Sequence, residues 1–357
     1  MKSFKKSIFI GLFLTGIIVI SLTGFSANAN QTSSSDWKIS TPGEQGMDLK
    51  VLSGSDNVIK NDYGAVTGFL VVRHGTLVYE KYYKGKNKDD YTHVFSITKS
   101  VISALTGIAI REKFLKGLDQ KITDFYPEFL KNADSRKKEI SIKNMLTMTA
   151  GLEPTDLTFN RWEYSSDWYE YAINRPSVCN PGEKFGYNTG LTHLLGGAVA
   201  RSAKMDLKKF ADKYLFGSLG ITNYLWDRDP KGNYGGGHLL YLTPRDMAKF
   251  GYLYLKGGKW QSKQVVPEEW VKESTVIHAD PGDGRKYGYL WWLDKMNDKA
   301  RNKELPIFSA IGYGGQYITV IPDLDIVAVI TCNAFLPGNR GDATKQLIVD
   351  YVIPAVR

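Results

Sequence analysis

A buried helix is predicted by residues 96–114, which read SITKSVISALTGIAIREKF. Val101, Leu105, Ile108 and Ile110 stand at mostly helical spacing, and the residues between them are small or apolar. A helix that is apolar on nearly all of its sides has to be covered by other parts of the fold. We therefore expect this helix to lie inside the protein.

Strand-forming runs lie on both sides of this helix along the chain. Residues 68–83 contain two β-rich runs split by Arg73-His74-Gly75-Thr76, which predicts a hairpin. Further strands are predicted at 287–292, 315–321 and 326–331, the last two joined by a turn at Pro322-Asp323. Strands near both ends with helices between them predict an α/β (α+β) fold, in which one antiparallel sheet is flanked by helices. We assign residues 46–118 and 242–357 to this sheet domain and residues 119–241 to an inserted, mostly helical domain.

The first 29 residues have the layout of a secretory signal peptide. Three lysines give a positive start, residues 8–25 are almost wholly apolar, and Ala27-Asn28-Ala29 offers a cleavage site. An uncleaved membrane anchor is the alternative, because the 19 residues 7–25 are just long enough to cross a bilayer. We predict that residues 1–29 are removed, that the protein is secreted or extracytoplasmic, and that residues 30–45 form a flexible leader.

Composition and charge narrow the classes of partner. Of the 357 residues, 43% are hydrophobic, a composition typical of globular proteins. The formal charge is +9, and it becomes +6 when the three lysines of residues 1–29 are removed. So mild a charge, without a nucleic-acid motif, argues against a nucleic-acid partner and is compatible with association with an anionic cell wall or membrane surface. Two cysteines, Cys179 and Cys332, exclude a disulfide-rich scaffold, and we expect both to be free thiols.

Several familiar catalytic patterns are missing from the sequence. Neither G-x-S-x-G nor H-E-x-x-H occurs, and no two of the five histidines are spaced as a metal-binding pair. We therefore expect neither a metal nor a cofactor.

Ser96 and Lys99 at the start of the predicted helix are candidates for catalysis. Residues three apart share a helix face, so the lysine can touch the serine hydroxyl. Free N–H groups at a helix start stabilise negative charge, and a partly desolvated lysine has a lowered proton affinity. The alternative is an N-cap serine beside a surface lysine.

Two loop motifs are candidates for the rest of the site. Residues 181–190 read PGEKFGYNTG, which predicts a turn that directs Tyr187 into a cleft, where neighbouring cations would favour its phenolate. Residues 310–316 read AIGYGGQ, and glycines at the edge of a strand predict close approach of a backbone or ligand. The alternatives are a packed aromatic residue in the first motif and a β-bulge in the second.

These motifs, in this order, resemble those of the serine β-lactamase and penicillin-binding-protein superfamily. The chain is most similar to the class C β-lactamase-related branch, which includes esterases, D-aminopeptidases and aminohexanoate-dimer hydrolases. The similarity covers roughly residues 45–357 and includes further phrases at 142–152, 242–248 and 288–292. The resemblance implies that Ser96 is the acylated nucleophile, Lys99 its partner, and Tyr187 the tyrosine of the Tyr-x-Asn element.

The resemblance also implies how a substrate is bound. Substrate-binding roles are implied for Asn188, Tyr313, Gly314, Gly315 and Gln316. The backbone N–H groups of Ser96 and Gln316 would form the oxyanion hole. Two departures weigh against penicillins, because Thr189 replaces the family's asparagine and Tyr313 stands where true lactamases have the lysine of Lys-Thr-Gly.

The expected function is that of a secreted serine hydrolase acting on a small-molecule ester, amide or peptide through a serine acyl-enzyme. Tyr313, Trp291 and Trp292 would supply apolar contacts to an uncharged acyl group, unless the tryptophans belong to the core. One alternative is a β-lactamase or D,D-peptidase that acts on penicillins or cell-wall peptides. Another is a non-hydrolytic protein that binds the cell wall.

Overall fold

The computed structural model describes residues 37–131, 134–336, 339 and 341–357. The predicted signal peptide, residues 1–29, lies outside these residues. Among the helices of the described residues, none combines the length and apolar character needed to cross a membrane.

A seven-stranded antiparallel sheet forms the framework of the fold. Its strands follow the spatial order β2-β1-β12-β11-β10-β9-β8. The strands of the described chain are β1 (Val66–Arg73), β2 (Thr76–Tyr82), β3 (Thr92–His93), β4 (Leu225–Trp226), β5 (Leu240–Leu242), β6 (Lys259–Trp260), β7 (Lys263–Gln264), β8 (Lys286–Tyr287), β9 (Trp292–Asp298), β10 (Lys303–Gly312), β11 (Gln316–Ile321) and β12 (Ile326–Cys332). This sheet, flanked by helices, confirms the predicted α/β (α+β) fold class.

Both faces of the sheet are covered, which explains why its central strands are apolar throughout. Every residue of β1 and β12 is buried. Alternate residues point to opposite faces, so Leu70 and Val72 join one hydrophobic core while Phe69 and Val71 join the other. The first core contains the buried face of α2 and the second contains residues of α1 and of the C-terminal segment.

The buried helix predicted at residues 96–114 is confirmed as α2. Its residues Ile97 to Ala109 are all buried. The α-helices of the described chain are α1 (Leu49–Asp62), α2 (Ile97–Arg111), α3 (Pro127–Leu130), α4 (Ser135–Lys138), α5 (Ile142–Leu146), α6 (Phe159–Glu163), α7 (Trp168–Asn174), α8 (Thr189–Ala203), α9 (Leu207–Ala211), α10 (Pro244–Leu255) and α11 (Glu268–Ser274). Helices α3 to α9 fall within residues 119–241, and the division of the chain into a sheet domain and a helical domain stays a prediction.

One local prediction is wrong for a physical reason, and the structure describes part of a second predicted segment. The strand expected at 287–292 is interrupted, because Leu290 adopts a left-handed backbone (φ 62°) and the Gly288 N–H donates to the Trp291 carbonyl. In the described part of the expected leader, Trp37 is buried and Ile39 pairs with Leu77 of β2. The Trp37 ring therefore belongs to the core, whereas most of residues 38–44 are exposed, and the flexible leader stays a prediction.

Candidate active site

The candidate nucleophile stands at the start of helix α2. Phe95 has a left-handed backbone (φ 48°), and Ser96 follows it as the N-cap residue. The Ser96 side chain makes no capping hydrogen bond, and Lys99 Nζ donates to its Oγ at 2.8 Å. Lys99 is only 1% exposed, so the alternative of a capping serine beside a surface lysine is wrong.

Burial changes the proton affinity of Lys99. Removing the ammonium group from water lowers the Lys99 pKa from 10.5 to about 8, while the negative charge of Asp156 acts to raise it. Near pH 8 a large share of Lys99 is therefore the neutral amine. A neutral amine at hydrogen-bond distance can accept the Ser96 proton.

Tyr187 lies next to Lys99, in the loop that leads into α8. Lys99 Nζ is 4.9 Å from the centroid of the Tyr187 ring, and this ring stacks on Trp292 with the centroids 5.8 Å apart. Burial raises the Tyr187 pKa well above its ordinary value, although a hydrogen bond with Ser96 acts to lower it. The expectation that cations favour the phenolate is wrong, because loss of water outweighs the charge of Arg285. Tyr187 is therefore a phenol that can donate a proton.

Lys99 Nζ has two hydrogen-bond acceptors, Ser96 Oγ and the Gly237 carbonyl, and buried hydrogen bonds position the second of them. Lys99 Nζ also donates to the Gly237 carbonyl at 2.8 Å. The Gly236 N–H donates to His193 Nδ1 at 3.2 Å, which leaves the proton on His193 Nε2, 3.0 Å from Asp229 Oδ2. A Cβ on Gly236 would lie 2.5 Å from a backbone oxygen of α8, so only glycine permits this approach. His193 and Asp229 have no spacing signal in the sequence.

A cleft of about 740 Å³ contains Ser96 and Tyr187 in its lining. The end of β10 contributes Ile311 and Gly312, and Tyr313 directly follows this strand. A Cβ on Gly312 would lie 2.2 Å from the carbonyl oxygen of Val94, so glycine lets β10 lie directly against the segment that precedes Ser96. The other described lining residues are His93, Phe95, Asp156, Phe159, Asn160, Glu163, Thr189, His238, Arg285, Trp292, Phe335 and Asp342.

Asp156 is a cleft residue that sequence reasoning missed. Thr189 donates to its two carboxylate oxygens, from the hydroxyl at 2.7 Å and from the backbone N–H at 2.6 Å. The threonine that replaces the family's asparagine therefore fixes a negative charge whose field raises the pKa of both Lys99 and Tyr187. Because Asp156 and Thr189 are 33 positions apart, only the fold brings them together.

The two predicted tryptophans have different roles. Trp291 is fully buried in the core, whereas Trp292 lines the cleft between Tyr187 and Arg285. The Arg285 guanidinium carbon lies 4.0 Å from the centroid of the Trp292 ring, and the same guanidinium forms ion pairs with Asp283 and Asp342. Arg285 also lacks a sequence signal.

The predicted substrate-binding residues lie at different distances from the cleft. Asn188 is buried and accepts hydrogen bonds from Leu191 and Thr155, so it caps α8 instead of lining the cleft. Gly314, Gly315 and Gln316 also lie outside the cleft lining. Gln316 is fully buried, and its side-chain amide binds the Cys332 backbone. Tyr313 is the member of this set that lines the cleft. The Gln316 bonds involve its side chain and not its backbone N–H, so the expected oxyanion role of that N–H, like the substrate-binding role of Asn188, stays a prediction.

The two cysteines and the metal-ligating side chains are the remaining groups with an expectation from the sequence. Cys179 and Cys332 are both free thiols, as expected, and Cys332 Sγ lies 3.4 Å from the carbonyl oxygen of Gly315. Burial raises the Cys332 pKa to about 12. Within the part of the chain that the structure describes, no three His, Cys, Asp or Glu side chains are grouped to hold a metal ion.

Comparisons with known proteins show which family and which folds the chain is similar to. A family model described as Beta-lactamase matches residues 57–352. The 6-aminohexanoate-dimer hydrolase of Paenarthrobacter ureafaciens is 25% identical over 292 residues, which are 73% of this chain and 71% of that protein. A solved Bacillus anthracis protein provisionally named a 6-aminohexanoate-dimer hydrolase is 21% identical, with a TM-score of 0.71 over 83% of this chain and 80% of that one. EstCE1, a hydrolase with promiscuous acyltransferase activity, is 18% identical, with a TM-score of 0.68 over 86% of this chain and 97% of that one.

Proposed function

The chain belongs to the Beta-lactamase family, a generally hydrolytic family, and from that premise we propose that it is a serine hydrolase that cleaves an ester or amide through an acyl-enzyme on Ser96. The observation that carries the proposal is the 2.8 Å hydrogen bond from Lys99 Nζ to Ser96 Oγ inside a cleft. A serine becomes a useful nucleophile only when a base lies within reach of its proton. The buried Lys99, with its lowered pKa, meets that requirement.

Acylation uses the three residues in different ways. The neutral Lys99 amine takes the hydroxyl proton as Ser96 Oγ attacks the substrate carbonyl. The first-turn N–H groups and the dipole of α2 favour the negative charge that develops on the carbonyl oxygen. When the tetrahedral intermediate collapses, the Tyr187 phenol donates its proton to the leaving oxygen or nitrogen. The Lys99 ammonium then returns a proton to Tyr187, which restores both groups.

Deacylation repeats the sequence with water in place of Ser96. Water attacks the acyl carbonyl while Lys99 accepts one of its protons, and Ser96 Oγ leaves with that proton. The acid product is then released. The same hydrogen bond that activates the serine therefore serves in both halves of the reaction.

The charged residues of the cleft support a preference for uncharged esters or linear amides over penicillins. Among the described lining residues, Asp156, Glu163 and Asp342 are acidic and Arg285 is basic, and Arg285 is already paired with carboxylates. Cation-to-carboxylate hydrogen bonds contribute about 1.5–3 kcal/mol, and a penicillin carboxylate finds no lysine at position 313 for such a bond. The Paenarthrobacter ureafaciens relative is named for the hydrolysis of a 6-aminohexanoate dimer, an amide that is not a β-lactam.

The test compares kcat/KM for 4-nitrophenyl butyrate and for a chromogenic cephalosporin at one pH, in wild type, Ser96→Ala and the distant control Ser53→Ala. We expect the ester to be the better substrate, Ser96→Ala to be inactive on both compounds, and Ser53→Ala to match wild type. A cephalosporin preferred more than tenfold would make the protein a lactamase. Turnover that survives in Ser96→Ala would refute the nucleophile.

We also propose that residues 1–29 export the protein and are then removed. The three lysines, the apolar run and the Ala27-Asn28-Ala29 site support this proposal. The remaining charge of +6 supports association with an anionic cell wall or membrane surface. N-terminal sequencing of the protein from a fractionated bacterial culture should give Asn30 as the first residue. An intact Met1 in the membrane fraction would instead support the anchor.

A further inference from the structure

Three aromatic side chains stand together in the cleft that contains Ser96. Phe95 contacts Tyr313 and Phe335 edge to face, with ring centroids 5.6 and 6.1 Å apart. All three residues line the cleft. Phe335 is nevertheless 80% exposed and Tyr313 66% exposed. We call these three residues the aromatic mouth.

Tyr313 and Phe335 are exposed, whereas most tyrosine and phenylalanine side chains of the described residues are buried or partly buried. Exposed apolar surface next to a cleft marks a place where a ligand or partner is bound. The contacts with Phe95 leave most of the Tyr313 and Phe335 surface open to solvent. An apolar substrate group laid against these rings would remove that surface from water.

The three rings are held in place from separate parts of the chain. Tyr313 directly follows β10, and Phe335 lies in the turn after β12, where its N–H donates to Asn333 Oδ1 at 3.2 Å. Phe95 packs on the other side against His93, with the ring centroids 3.9 Å apart. The rings therefore form a supported surface at which a substrate group can be bound.

The backbone of Phe95 gives an independent reason to assign it a function. Its φ of 48° lies in the left-handed region, where a bulky side chain is strained and glycine is not. Strained residues of this kind cluster at ligand-binding and catalytic positions. The phenylalanine supplies a ring to the aromatic mouth that glycine, which suits the backbone better, would not supply.

We infer that the aromatic mouth is the subsite for an apolar group of the substrate, an alkyl chain or an aryl ring. The inference rests on the proposed hydrolase function and specifies its substrate class. The apolar group belongs either to the acyl part or to the alcohol part of an ester, and both parts pass through the same cleft. We therefore expect esters or amides that carry an alkyl chain or an aryl ring to be better substrates than short, polar esters or amides.

The first experiment measures kcat/KM in two series of esters. One series is 4-nitrophenyl acetate, butyrate and hexanoate, and the other is methyl, hexyl and benzyl acetate, followed by acid release. We expect kcat/KM to rise about tenfold along at least one series, because each added methylene that is buried strengthens binding. The series that shows the rise identifies the part of the substrate that occupies the subsite.

Variants connect that rise to the rings. In Phe335→Ala and in Tyr313→Ala/Phe335→Ala we expect the ratio of long to short substrate to fall towards one. Tyr164→Ala removes a ring that is 85% exposed outside the cleft lining, and it should keep the wild-type ratio. A flat series in wild type, or a rise that persists in the double variant, would overturn the inference.

A binding measurement separates this inference from the proposed function. Ser96→Ala is titrated with acetamide and with hexanamide and followed by NMR. We expect hexanamide to bind about tenfold more tightly than acetamide, and the difference to disappear when Phe335→Ala is added. Wild-type turnover with no preference for longer chains in either experiment would refute the subsite alone. An inactive wild type whose Ser96→Ala variant still prefers hexanamide would refute the hydrolase and leave the subsite standing.

Discussion

Two walls of the cleft are held in opposite ways. On the α2 wall, Ser96 and Lys99 are three residues apart, and Lys99 is 1% exposed with both of its acceptors at 2.8 Å. On the aromatic wall, Tyr313 and Phe335 come from different loops and are 66% and 80% exposed. Under the proposed function, the buried wall would set the rate of bond cleavage and the exposed wall would select the substrate. Changes to the α2 wall should therefore slow all substrates alike.

After the loss of Ser96 itself, removal of the Tyr187 hydroxyl should have the largest effect. Tyr187→Phe keeps the ring that stacks on Trp292 but removes the proton donor to the leaving group. We expect kcat/KM to fall about 10²–10⁴-fold, the usual contribution of general acid–base catalysis, and to fall equally for short and long esters. Tyr351→Phe, outside the cleft lining, is the matched control. A loss that grows with acyl chain length would remove the distinction between the walls.

The pH dependence should report the buried lysine. The reactive form of Lys99 is the neutral amine, and its pKa is lowered to about 8, so kcat/KM should rise with pH and level off above about pH 8. At pH 6 the rate should be about a hundredfold below the plateau, since each pH unit below the pKa removes about nine-tenths of the neutral form. A profile that is flat from pH 6 to pH 9 would exclude Lys99 as the base.

The pH dependence of kcat/KM in Asp156→Asn is a second test of the role of Lys99. The negative charge of Asp156 raises the Lys99 pKa, so removing it should move the midpoint of the profile to lower pH. A midpoint that moves upwards would show that Asp156 acts in another way.

A smaller effect is expected from the support behind the α2 wall. Asp229→Asn weakens the bond to His193, which holds the Gly236–Gly237 turn and so the second acceptor of Lys99. We expect kcat to fall about tenfold for every ester, because small displacements of a reacting group are costly. Asp89→Asn, whose side chain is 75% exposed, controls for the change of charge. A fall in kcat/KM confined to long-chain esters would assign Asp229 to substrate selection instead.

Short-range patterns in the sequence were sufficient to predict the structure of the α2 wall. The spacing of Ser96 and Lys99 defines their contact on one helical turn, and the apolar run of α2 predicts the burial that lowers the Lys99 pKa. The hairpin of β1 and β2 and the pairing of β11 with β12 are likewise local patterns of alternation and turn residues. The fold class followed from these elements.

The aromatic wall and the charges of the cleft could not be predicted in this way. Phe335, Arg285 and Asp156 reach the cleft through strand order and long-range packing, which no spacing rule describes. Asn188 and Gln316 are next to or near cleft residues in the chain, and their side chains form hydrogen bonds within the protein that the sequence motifs did not predict.

The central claim is that Ser96 carries the acyl group. Wild-type protein is mixed with 4-nitrophenyl butyrate, quenched in acid within the first turnovers, and examined by intact-mass and peptide mass spectrometry. The proposed mechanism predicts the mass of one butyryl group on the peptide that contains Ser96, and no adduct in Ser96→Ala. A butyryl group on any other residue, or an equal adduct in Ser96→Ala, would contradict it.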